Sequence, residues 1–165
     1  MSLVRAALIA SAVATLFSCS KQGKTATARD LSQFECNERR VEYFVAGGFG
    51  AEEAGVTMVC DNQNPRIEKW RVDDGERSES THELSSHQFN EVWIRIDSTG
   101  WRHLSEECKN PGAESDDPAY VIDVGDHAKN ISINCQGKTL PFPYDRIVNE
   151  LDLRAAGFGE QESAL

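Results

Sequence analysis

Apolar side chains alternate along Arg40–Gly47, where Val41, Tyr43 and Val45 share one face, and the run stops at Gly47, Gly48 and Gly50. The period of two returns over Gly55–Cys60 with Val56, Met58 and Cys60, so two antiparallel strands are predicted, joined across Gly48–Ala54. A third strand, Arg66–Val72, follows a turn at Asn64-Pro65 and ends at Asp73-Asp74-Gly75. From Ser85 or Ser86 the period lengthens. Phe89, Val92, Trp93 and Ile96 stand at i, i+3, i+4 and i+7, a helical stripe with a serine cap and an end before Gly100. Trp101 and Leu104 are placed to fold back on that end. After a polar loop, Lys109–Pro118, alternation resumes in Ala119–Gly125 (Tyr120, Ile122, Val124) and Lys129–Gln136 (Ile131, Ile133, Cys135), close enough for a hairpin. Pro141-Phe142-Pro143 then opens a helix carrying Tyr144, Ile147, Val148 and Leu151.

The predicted order is β-β-β-α-β-β-α, an α+β fold with an antiparallel sheet and two helices packed on one face. The other face of such a sheet is left to solvent or to a partner.

Before this domain the chain has a different character. Arg5 precedes an apolar stretch, Ala6–Phe17, too short to cross a bilayer of ~30 Å as a permanent helix and fitting a secretory signal. Its end, Leu16-Phe17-Ser18-Cys19, resembles the lipobox of bacterial lipoproteins, which implies lipidation of Cys19 and cleavage before it. Two or three acyl chains, each buried CH₂ contributing about 0.8 kcal/mol, would hold the chain to a membrane without spanning it. Ser20 after the lipidated cysteine resembles an outer-membrane address in the bacterial envelope. The expected organisation is therefore a signal peptide over 1–18, a polar tether over 19–35, one α+β domain over 36–154 and a loose tail over 155–165.

Export changes the reading of the other four cysteines, Cys36, Cys60, Cys108 and Cys135. No C-x-x-C or Cys/His pair has zinc spacing, and an even set in an oxidising compartment points to two disulfides. The first hairpin returns Cys60 to the neighbourhood of Cys36, which leaves Cys108 to pair with Cys135.

Charge and motifs then narrow the function classes. With 17 Lys plus Arg against 27 Asp plus Glu and a net charge of −10, the chain lacks the basic surface that nucleic-acid phosphates require. No G-x-S-x-G, H-E-x-x-H or P-loop occurs. His82, His87, His103 and His127 are scattered. Asp116, Asp117, Asp123 and Asp126 lack the D-x-D-x-D-G spacing of a calcium loop and read as solvated turn carboxylates. Asn130-Ile131-Ser132 matches a glycosylation acceptor by chance of composition in a strand. The expectation is a non-enzyme with no cofactor and no metal.

Gly47-Gly48-Phe49-Gly50 carries two readings: a hairpin turn whose Phe49 tucks into the core, or a narrow tip that presents Phe49 to a partner's cleft. The order of motifs around it resembles the emfourin family, bacterial proteinaceous inhibitors of thermolysin-like metalloproteases. The first strand runs into Gly47-Gly48-Phe49-Gly50. Glu83-Leu84-Ser85 precedes a helix, and Gly100-Trp101 and Leu104 follow it. Then come Asp117–Val124, a further strand, Leu140-Pro141 and a closing helix through Leu151. The resemblance spans residues 40–152, and the lipobox and four cysteines are additions to the family pattern. It implies protein binding through Gly47, Gly48, Phe49 and Gly50, with a secreted metalloprotease as partner. The alternative from a different class is a structural or assembly accessory lipoprotein of the envelope, serving secretion or motility machinery.

Overall fold

The computed structural model describes Cys36, residues 38–47 and residues 53–162, with side chains to residue 157. Cys19, the tether and Gly48, Phe49 and Gly50 lie outside the described residues. Six strands, β1 (Arg39–Ala46), β2 (Glu53–Asp61), β3 (Asn64–Asp73), β4 (Glu76–Glu83), β5 (Ala119–Gly125) and β6 (Asn130–Gln136), form one sheet in the order β4-β3-β2-β1-β5-β6. Every neighbouring pair is antiparallel. Helices α1 (Ser86–Asp97) and α2 (Tyr144–Glu162) complete the α+β fold, with a 3₁₀ turn at Trp101–His103.

The alternating positions are the ones that meet the helices. Val41, Tyr43, Val56, Met58, Ile67, Ile122, Val124, Ile131 and Ile133 are buried against Phe89, Val92, Trp93 and Ile96 of α1 and Ile147, Val148 and Leu151 of α2. Each such side chain contributes ~1.5–3 kcal/mol of burial. Helix α1 starts in a reciprocal cap: Gln88 N donates to Ser85 Oγ (3.2 Å) and Ser85 N donates to Gln88 Oε1 (2.9 Å). Gly100, at φ +71°, turns the chain after α1 in a conformation that suits glycine, and Trp101 enters the core fully buried.

Three local expectations are corrected. A fourth strand follows the third. Its sequence, Glu-Arg-Ser-Glu-Ser-Thr-His-Glu, is exposed at all but one position and so carries no alternation of apolar residues. The turn specifies it instead, because Asp74 (φ +51°) and Gly75 (φ +82°) both take the positive φ of a two-residue hairpin and set Asp73 opposite Glu76. The preceding turn is centred on Asn62-Gln63, not Asn64-Pro65, again with two positive φ values; Pro65 already lies in β3, opposite Cys60. At the other end, α2 continues to Glu162 through the segment expected to be loose from residue 155, with Ala155 packed against the core.

Cys36 is bonded to Cys60 and Cys108 to Cys135, the pairing that the hairpin order implied. The second bond holds a short strap against the outer strand: Cys108 N donates to Asn134 O (3.0 Å) and Asn134 N donates to Glu106 O (2.7 Å). The opposite edge, β4, is dressed with charge, which discourages edge-to-edge pairing.

Candidate protein-binding face

On the side of the sheet away from the helices, the register lines up three rows. The first joins Glu83, Arg66, Val59 and Arg40; the second Thr81, Glu68, Thr57, Glu42 and Asp123; the third Glu79, Trp70, Gly55, Phe44 and Val121. The first two rows seal themselves. Arg40 pairs with Glu42, and Arg66 with Glu68 (2.6 Å) and Asp61 (3.2 Å), while Thr57 Oγ1 donates to Glu42 (3.1 Å). Beneath these side chains Val59 and Thr57 are buried although, among the described residues, no helix covers them.

The same half of the molecule is tied on its helix side. Arg39 donates to the buried Asn90 Oδ1 (3.0 Å), and its guanidinium lies 5.4 Å from the Trp93 ring centroid. Arg102 stacks on Trp101 at 4.3 Å and pairs with both Asp97 and Asp126. Asp126 also accepts from the backbone N–H groups of Ala128 (2.8 Å) and Lys129 (2.9 Å). Burial alone would raise the Asp126 carboxyl, but these donors and Arg102 outweigh it and hold it below the usual carboxylate range.

The third row is built differently. An added Cβ at Gly55 would stand 2.8 Å from the Trp70 ring, so glycine there lets the indole lie down on β2. The Arg77 guanidinium lies 4.5 Å from the same ring. Next to Gly55, Phe44 is 37% exposed. On the helix side of this end Tyr120 is half-buried, and Phe142, in the segment between β6 and α2, is 74% exposed. Between the two faces stands Gly47, at φ +83° and with open space around it, where β1 leads into the connection that carries Phe49.

Of the residues proposed from sequence, Gly47 is placed at this end of the sheet, and Gly48, Phe49 and Gly50 are outside the described residues. The structure adds Phe44, Trp70 and Phe142, which sequence periodicity had not singled out, and brings Tyr120, read as one face of a strand, to the same end of the sheet as Phe44 and Trp70. The signal was there in part. Tyr43-Phe44-Val45 is apolar on both faces of a strand, and Trp70 stands between Lys69 and Arg71 in the polar phase of its strand.

Among the described residues, the cluster of metal-ligating side chains is Glu114, Asp116 and Asp117, whose carboxylate oxygens lie within 4.8 Å of one another. Asp117 is committed to the turn, accepting from Glu114 N (2.9 Å) and facing Lys138 Nζ at 3.5 Å. No helix among the described residues is long and apolar enough to cross a membrane. No family model matches the chain, and no curated protein matches it.

Proposed function

We propose that this chain is a lipid-anchored protein of the bacterial envelope that binds another protein through the hairpin end of its sheet, and that the partner is a thermolysin-like metalloprotease which it inhibits. The observation that carries the reading is the uneven distribution of aromatic surface. Phe44 and Trp70 flank Gly55 at the Gly47 end of the sheet, Tyr120 lies on the helix side of that end, and Phe142 stands exposed before α2, whereas the far face at the other end is covered by its own ion pairs. Aromatic side chains supply most of the energy of protein interfaces, and a glycine-rich tip lets one reach into a cleft. Cys19 would fix the domain to the membrane, with the segment to residue 35 as its leash.

The test is a titration of a thermolysin-like protease with the purified full chain, reading hydrolysis of a peptide substrate. Saturable slowing is expected, and Phe49→Ala should weaken it by more than ~1 kcal/mol with the fold retained. A variant that unfolds would make Phe49 a core residue, and a folded chain that leaves every such protease at full rate would favour the assembly role instead. Cys19→Ala should leave an uncleaved or soluble chain; retention on membranes after salt washing would contradict the anchor.

A further inference from the structure

A cavity of about 490 Å³ opens between α2 and the sheet at the hairpin end. One wall is α2, where Asp145, Asn149 and Asp152 stand at i, i+4 and i+7 and so share a face. The facing wall is aromatic and apolar: Tyr43, Val45 and Tyr120 from the strands, with Leu140 beside them. Asp145 Oδ1 is buried with no hydrogen-bond partner among the described residues, a state that costs free energy. Asp152 uses Oδ1 to accept from the Tyr43 hydroxyl. Burial, and then Asp152 itself, push the Tyr43 phenol upward, so Tyr43 stays a neutral donor and adds no charge of its own. Among the described residues the rim holds one cation, Lys138, largely exposed and directed at Asp117 3.5 Å away.

We propose that this slot receives the side chain of a basic residue, arginine or lysine, presented by the protein that docks on the hairpin end. The inference rests on the protein-binding reading above and names the chemistry of the partner's anchor. A separation of seven residues along a helix is about 10 Å, too long for two carboxylates to share a bare metal ion but suited to a long side chain lying along the groove. The apolar wall takes the methylene stem, Tyr120 offers a ring face to the charge, and a carboxylate of α2 takes the N–H donors. An arginine suits the site best, since its guanidinium can donate to a carboxylate while stacking on a ring.

The experiment is an NMR titration of the isotope-labelled full chain with N-acetyl-arginine methylamide, its lysine counterpart and its norleucine counterpart. The two basic probes should shift the Asn149 side-chain amide and the backbone amides of Val45 and Tyr120 in a saturable way, and norleucine should bind at least about tenfold more weakly. Asp145→Asn with Asp152→Asn should abolish the difference between the probes. Because that pair could disturb α2, Asn149→Lys, at an exposed position, serves as a second variant that fills the slot with its own ammonium and should block the probes equally. Equal binding of norleucine, absence of saturable shifts, or basic-probe binding unchanged in both variants would overturn the proposal. If the probes fail while protease inhibition persists, only the basic anchor is lost; if inhibition fails and the probes still bind, the slot stands and the protease partner falls.

Discussion

Where β2 closes on Cys36, Arg40, Glu42, Arg66 and Glu68 partner one another above Val59 and Thr57, and Arg102 bridges Asp97 and Asp126 beneath the β5–β6 turn. Five residues earlier in β2, at Gly55, the same sheet carries Phe44 and Trp70 with surface left in water, and Phe142, in the segment before α2, is mostly exposed. One end spends its polar groups on its own structure and the other holds aromatic area in reserve. Stability and binding should therefore separate under mutation: changes at the Cys36 end should unfold the domain, and changes at the hairpin end should disarm it.

The largest effect is expected at Trp101. It is fully buried, meets Trp93 edge-on at 6.3 Å and donates through Nε1 to Asp97 (3.1 Å). Trp101→Ala should cost ~3–5 kcal/mol, read as a fall in the urea midpoint. Next comes the Cys36–Cys60 bond. Replacing both cysteines by serine should cost ~2–5 kcal/mol under oxidising conditions and nothing further under reduction. A smaller loss, ~1–3 kcal/mol, is expected of Asp126→Asn, which leaves Arg102 with a weaker acceptor. Its pH dependence has a definite sign. The Asp126 carboxyl is lowered in the folded state, so its contribution is complete above the ordinary carboxylate range of about 4 and disappears as pH falls through the lowered value. The gap in stability between wild type and Asp126→Asn should be constant near neutrality and close in acid. The smallest stability change belongs to Phe142→Ala, within about 0.5 kcal/mol, because most of the ring already faces water. The same substitution should weaken partner binding by more than ~1 kcal/mol, which sharpens the contrast between the two ends.

The contrast also marks how far the sequence could be read. Elements that bury an apolar face announced themselves: Val41, Tyr43, Val56, Met58, Ile122 and Val124 at period two, and Phe89, Val92, Trp93 and Ile96 at helical spacing. The disulfide pairing followed from hairpin order. Strand β4 was silent because, at the sheet edge beyond the helices, nothing selects apolar residues for it; only Asp74-Gly75 hinted at a partner strand. The charged rows of the far face are likewise invisible to periodicity, since Arg40 pairs with Glu42 and Arg66 with Glu68 two residues along a strand, a spacing that also occurs in solvated loops. The slot beside α2 needed the register that brings Tyr43 and Tyr120 opposite Asp152, a juxtaposition made by residues more than 30 apart. For the same reason Phe44 and Trp70 became a pair only once Gly55 was seen between them.

The most direct test places a photoreactive phenylalanine analogue at Phe44, Phe49 or Phe142, and at Ile94 on the exposed side of α1 as a control, in the full chain produced in its own cells. One shared protein adduct is expected from the three aromatic positions and none from Ile94, with mass spectrometry identifying the adduct as an exported metalloprotease. Adducts from Ile94 alone, or no adduct from any of the three aromatic positions, would contradict this expectation.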